Sequence, residues 1–166
     1  MWKPIGVLST LALILIALLS LALAAWDYDQ NDYNSKYSSG WYYYQNLRPY
    51  IDALRAVLAC DLLMFITAFV GIFFIVKPNR STAKCYVVVI VLLIIFKILA
   101  GAIWYSGVND TGKFENSTMQ TLWDDTSSPQ DWLKAWHAAR GCEIASIILF
   151  IVLGGISAVS VLKLSG

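Results

Sequence analysis

The stretch CYVVVIVLLIIFKILAGAIWY, residues 85–105, decides the fold. Of its 21 residues only Lys97 is charged. A helix rises about 1.5 Å per residue, so roughly 20 apolar residues cover a hydrocarbon core of about 30 Å. Three further stretches have the same character: Ile5–Ala25, Ala56–Val76 and Ile144–Leu162. With 58% hydrophobic and 14% charged residues, the 166-residue chain reads as a small polytopic membrane protein. The expected fold is an all-α membrane protein, a four-helix transmembrane bundle with a small extracellular β-hairpin or sheet. One domain over residues 1–166 holds helices at about 5–25, 50–76, 85–105 and 129–163. Extracellular loops then cover 26–49 and 106–128, and a cytoplasmic turn covers 77–84.

Charge orients the four spans. One side carries Lys3, Lys77, Arg80, Lys84 and Lys163 with no acidic residue. The two loops on the other side hold Asp27, Asp29, Asp32, Asp52, Asp110, Glu115, Asp124, Asp125, Asp131 and Glu143, together with six basic residues. An excess of Lys and Arg marks the cytoplasmic side, so both termini are expected there. The sequons Asn109-Asp-Thr111 and Asn116-Ser-Thr118 fall in the second acidic loop and agree with that orientation. The third match, Asn79-Arg-Ser81, lies in the basic turn and reads as chance. The first stretch has two readings. Its length fits a retained span, whereas Lys3 and Ala22-Leu23-Ala24 also fit a cleaved secretory signal.

The first loop is rich in Tyr, with Tyr28, Tyr33, Tyr37 and Tyr42–Tyr44 beside Trp26 and Trp41. Aromatic residues favour strands, and Asn31, Asn34, Ser38, Ser39 and Gly40 supply turn chemistry. A small hairpin is one reading; an interfacial aromatic belt is the other. Pro49 suits a helix first turn, which sets the second helix to begin near Tyr50. Ser128-Pro-Gln-Asp131 supplies a cap hydroxyl, Pro at the first helical position and an acid three residues on, so the fourth helix should start near Pro129.

Two charges fall inside spans. Asp61 and Lys97 each lie roughly 7–12 Å below the outer ends of adjacent antiparallel helices, which makes them an intramembrane ion pair. Such a pair either locks two helices together or lines a polar pathway. Arg55 and Glu143 sit at outer span ends and could pair at the interface. Gly154, Gly155 and Ala158 give the fourth helix a small-residue packing face.

Residues for chemistry are missing. His137 has no Cys or carboxylate cluster beside it, and no phosphate loop, triad or zinc signature occurs. No catalytic, cofactor-binding or metal-binding residue is assigned, and enzyme activity is not expected. Cys60, Cys85 and Cys142 all lie within or at the ends of spans, and Cys85 beside Lys84 is a candidate palmitoylation site. Expected partners are membrane lipids and other membrane proteins, in cis or on a neighbouring cell, with self-association open; no nucleic acid is expected.

Short motifs recur in a recognisable order. Trp26 closes the first span, Ser39-Gly40-Trp41 follows, and Leu54-Arg55-Ala56 opens the second helix. Ala100-Gly101-Ala102-Ile103-Trp104-Tyr105 ends the third, and Leu153-Gly154-Gly155 falls in the fourth. This order resembles the claudin, peripheral myelin protein and epithelial membrane protein (MARVEL-like) tetraspan superfamily, in the form of a short, divergent invertebrate-type member. The chain departs from the claudin pattern in having no cysteine between Tyr43 and Asp52, a shorter first loop and a longer second one. The resemblance implies a multi-pass plasma-membrane protein at lateral, septate-type cell–cell junctions. There it would organise adhesion or a paracellular barrier through Trp26, Trp41, Tyr42, Tyr43 and Tyr44. An auxiliary subunit that modulates or traffics a larger channel or receptor is the alternative, and a small transporter or channel is a weaker one.

Overall fold

The computed structural model describes residues 1–37, 41–114 and 129–166. The described residues form four long helices, α1 (Trp2–Tyr37), α2 (Trp41–Val76), α3 (Arg80–Phe114) and α4 (Pro129–Ser165). Within them, Trp2–Trp26, Asp52–Val76, Arg80–Ser106 and Gly141–Ser165 are long and apolar enough to span a membrane. The helices pack in a ring in chain order, with α4 closing against α1. We call the end at the short α2–α3 connection the turn end, and the opposite end the loop end.

At the turn end α2 and α3 stop close to their spans, because local chemistry stops them. Asn79 accepts the Ser81 N–H on its side-chain oxygen at 3.1 Å and the Ala83 N–H on its carbonyl at 2.9 Å. It is the N-cap of α3, which therefore starts at Arg80 and not at Cys85. Across the turn, the Lys77 N–H donates to the Phe73 carbonyl at 2.9 Å before Pro78 ends α2.

At the loop end every helix runs on past its span. The expected β-hairpin is not there: among the described residues no strand occurs, residues 26–37 extend α1 and 41–49 begin α2. Strand propensity of aromatic residues depends on a sheet to pack in, and a lone two-stranded hairpin is marginal in water. Extending an existing helix avoids the nucleation cost. Pro49 removes one backbone donor inside α2, yet the helix passes through it from Trp41, ahead of the expected start at Tyr50.

The helices pack on a seam whose period is 3.5 residues. On α3 the buried side chains are Ala83, Tyr86, Ile90, Leu93, Lys97, Ala100 and Trp104, in alternating steps of three and four. That spacing belongs to knobs-into-holes packing at shallow crossing angles. The seam mixes buried polar side chains with apolar ones, while the outside is almost wholly large and apolar. Thr10, Ser20, Asp61, Lys97, Ser157 and Ser160 are buried; Leu15, Phe69, Phe73, Phe96 and Ile148 are exposed. In lipid there is no hydrophobic drive between helices, so close backbone approach and hydrogen bonds must hold the seam.

Two apolar clusters lie along it. The larger gathers Leu13, Met64, Ala68, Ile75, Ile90 and Phe150, and the smaller, toward the loop end, gathers Ala24, Leu54, Val57, Ala100 and Trp104. In the half nearer the turn end, Thr10 and Ser157 share a hydrogen bond of 2.7 Å, and Tyr86 and Ser157 share one of 2.8 Å, joining α1, α3 and α4. Gly71 of α2 is the notch that receives the Tyr86 ring: a Cβ there would collide with the Tyr86 hydroxyl and lie 2.7 Å from its Cζ. Gly154 packs on Ile90 and Ile94 of α3, with 3.2 and 3.3 Å left for a Cβ, whereas Gly155 faces open space. Ala158 is buried.

Gly71→Ala should lower the thermal unfolding midpoint of the purified protein, at a cost of about 1–3 kcal/mol for overpacking a closed site. Gly155→Ala, whose Cβ meets nothing, should leave the midpoint unchanged or raise it through helix propensity. Equal midpoints for both variants would refute the notch.

Candidate functional site

Lys97 reaches its ammonium into the seam from the middle of the α3 span, and the side chain is 1% exposed. Three helices answer it. Nζ donates to Asp61 Oδ1 of α2 in a very short contact, to Ser20 Oγ of α1 at 2.9 Å and to Glu143 Oε2 of α4 at 3.3 Å. Those are the three donors that a lysine ammonium has. Ser20 Oγ donates its own hydrogen bond to Asp61 Oδ2 at 2.7 Å, so Lys97, Asp61 and Ser20 form a closed ring of hydrogen bonds. The ammonium also lies 4.8 Å from the centroid of the Phe150 ring. One cation thereby ties all four helices together at one height.

Glu143 holds its place less completely. Ser146 Oγ donates to the Glu143 carbonyl at 2.8 Å and to Oε2 at 3.3 Å. Oε1 lies 3.2 Å from the Lys97 ammonium, within ion-pair range. It receives no hydrogen bond, so the contact is ionic and undirected.

The expected Arg55–Glu143 pair does not form. Arg55 instead donates to the Tyr28 hydroxyl through Nε at 3.3 Å and Nη2 at 3.0 Å, and to Asp52 Oδ1 at 3.0 Å. Its guanidinium lies 5.5 Å from the Tyr28 ring centroid. Arg55 and Asp52 side chains are 54% exposed, in a setting where water already screens the charge. A carboxylate facing a buried ammonium gains far more Coulomb energy in low dielectric than it could from Arg55. Glu143 therefore turns inward.

Glu143 also stands between two spaces. Inside the bundle, a cavity of about 20 Å³ is lined by Ser20, Leu23, Ala24, Leu54, Val57, Trp104, Cys142 and Glu143. Outside, a groove of about 350 Å³ runs along the α3–α4 seam, lined by Ile98, Gly101, Ala102, Trp104, Tyr105, Glu143, Ile144 and Ile147. That seam is the least closely packed of the four in the ring. Among the described residues no three His, Cys, Asp or Glu side chains converge as metal ligands would.

Sequence reasoning missed Ser20, because one serine in a long apolar run carries no charge signal. It also missed the inward turn of Glu143, although Glu143, Ser146 and Phe150 follow the three-four spacing of the other seams. Of the remaining candidate residues, Trp26 is half-exposed at the end of its span and Cys85 is exposed near the turn end. Asn116 lies outside the described residues, as do the side chains of Asn109, Trp41, Tyr42, Tyr43 and Tyr44.

The model of the Tetraspanin family matches residues 3–143 of the chain. No curated protein and no solved structure matches it. The family shown is thus a four-span family other than the claudin and peripheral myelin protein group that the short motifs resemble. Those motifs are small-residue and Trp-Tyr patterns at span ends, which membrane packing and interfacial anchoring favour in any four-span bundle.

Lys97→Met leaves two carboxylates facing each other in the seam, and breaking a buried pair costs about 3–5 kcal/mol. Folded yield and surface delivery should fall sharply. Adding Asp61→Asn and Glu143→Gln to Lys97→Met removes every charge and should recover most of the yield. Normal yield and trafficking of the single variant would refute the network's structural role.

Proposed function

The chain belongs to the tetraspanin family, and we propose that it is a non-catalytic lateral organiser that holds another membrane protein in cis against its α3–α4 seam. It is an integral membrane protein with four spanning helices. Its family is one of non-enzymatic membrane scaffolds whose members interact with other membrane proteins and lipids. This reading keeps the auxiliary-subunit expectation and places the contact on α3 and α4.

One observation carries the choice of face. Glu143 Oε1 is buried, accepts no hydrogen bond and has only its ionic contact with Lys97, and Glu143 lines the groove that opens on that seam. A transmembrane helix that brings a hydroxyl, amide or ammonium donor to this height would satisfy it, while Ile98, Ala102, Ile144 and Ile147 supply the apolar walls. Gly101 lets the walls approach: a Cβ there would be 3.0 Å from Ile147 Cδ1.

Junction organisation through Trp26, Trp41 and Tyr42–Tyr44 is the narrower reading, and a lateral organiser could serve it at the plasma membrane. The orientation proposed with it puts both termini and residues 77–84 in the cytoplasm, with Asn109 and Asn116 outside as glycan acceptors. Confinement of a tagged chain to cell–cell contacts would favour the junction; delivery to the surface only with a partner would favour the lateral role.

Ala102→Phe fills the groove without adding a polar group. A photoreactive residue at position 147 should cross-link one larger membrane protein, and Ala102→Phe should cut that adduct by about tenfold, the size of an ordinary interface anchor. A photoreactive residue at 69, on the exposed face of α2, should give lipid adducts only. Equal protein adducts from both positions, or indifference to Ala102→Phe, would contradict the assignment.

A further inference from the structure

We propose that the α2–α3 turn is a binding site for the phosphate of an anionic phospholipid headgroup. Three cations lie there within eight residues: Lys77 at the end of α2, Arg80 at the start of α3 and Lys84 one turn along. Arg80 and Lys84 are four apart and share one side of the helix. All three are exposed, and none is in an ion pair among the described residues.

Their height is set by the side chains beneath them. The Lys77 ammonium rests 5.8 Å from the centroid of the Phe73 ring, which is itself 60% exposed on the lipid-facing side. Val76, next to Lys77 on α2, and Val88, one turn past Lys84 on α3, are also exposed. A lysine whose stem lies along such a surface delivers its charge at the headgroup boundary. The turn holds the charges in place, because Asn79 caps α3 from within and the Lys77 N–H is tied back to Phe73.

Charge selects the ligand. Residues 62–109 contain no Asp or Glu, and the other basic residues at the turn end, Lys3 and Lys163, also lie in acid-free stretches. A zwitterionic choline headgroup brings a cation that this surface repels. An anionic headgroup brings a phosphate that a planar guanidinium and two ammonium groups can grip without internal competition. Basic residues next to a span are drawn to acidic lipid, and the attraction grows with each cation near the surface.

The test uses the full chain in phosphatidylcholine bilayers doped with spin-labelled phosphatidylserine or spin-labelled phosphatidylcholine. The immobilised fraction should favour the serine lipid several-fold over the choline lipid. Substituting Lys77→Gln, Arg80→Gln and Lys84→Gln together should erase the preference, while Lys3→Gln with Lys163→Gln should leave most of it. On the unaltered chain, 1 M salt shortens the Debye length to about 3 Å and should erase it too, a readout that needs no variant to fold. Equal immobilisation of both lipids, or a preference indifferent to salt, would overturn the proposal. So would loss in the Lys3 and Lys163 pair alone, which would make the whole rim the attractor. Displacement of the serine lipid by millimolar inorganic phosphate at fixed ionic strength would also overturn it, by assigning the turn to a free anion.

Discussion

Lys97 carries its ammonium into a seam from which lipid and water are both shut out, where a lone charge costs at least a few kcal/mol. Its three donors must find acceptors, and each acceptor comes from a different helix: Ser20, Asp61 and Glu143. The requirement fixes the relative heights of all four helices at once. It also explains why the ring closes between α4 and α1, since Ser20 and Glu143 reach the same cation from those two helices.

The other constraint is that the bilayer rewards no burial of carbon. Many large apolar side chains therefore sit outside, and the seam adds glycine notches, hydroxyls and one charge cluster to its apolar contacts. Gly71 admits Tyr86, Tyr86 meets Ser157, and Ser157 meets Thr10, so a second polar layer repeats the stapling nearer the turn end. Between the two layers the apolar cluster around Leu13, Met64 and Phe150 fills space. The seam between α3 and α4 is the exception. It remains open beside Glu143, whose Oε1 accepts no hydrogen bond and is held only by its ionic contact with Lys97.

Length and apolar content made the spans legible, because a bilayer of fixed thickness demands about 20 apolar residues from any helix. The heights of Asp61 and Lys97 followed from the rise per residue. Glu143 was harder to read. A carboxylate at a span end has both water and a buried cation within reach, and sequence alone does not weigh a rotamer. The aromatic run after Trp26 read as strand because local propensity favours it; the physical preference went to continuing a helix that the membrane had already nucleated. Asn79 was visible as a turn residue, yet it works as a cap and sets the start of α3 five residues early. The family was hidden for a different reason: span-end motifs of small residues with Trp-Tyr report the membrane more than ancestry.

The account stands or falls on the geometry around Lys97. A direct measurement is the nitrogen-to-carbon distance, by rotational-echo solid-state NMR in bilayers, from Lys97 Nζ to the carboxyl carbons of Asp61 and Glu143. Both distances within about 4 Å, the range of a direct ion pair, are the predicted result. A separation beyond about 6 Å to either carboxylate in the folded protein would contradict it.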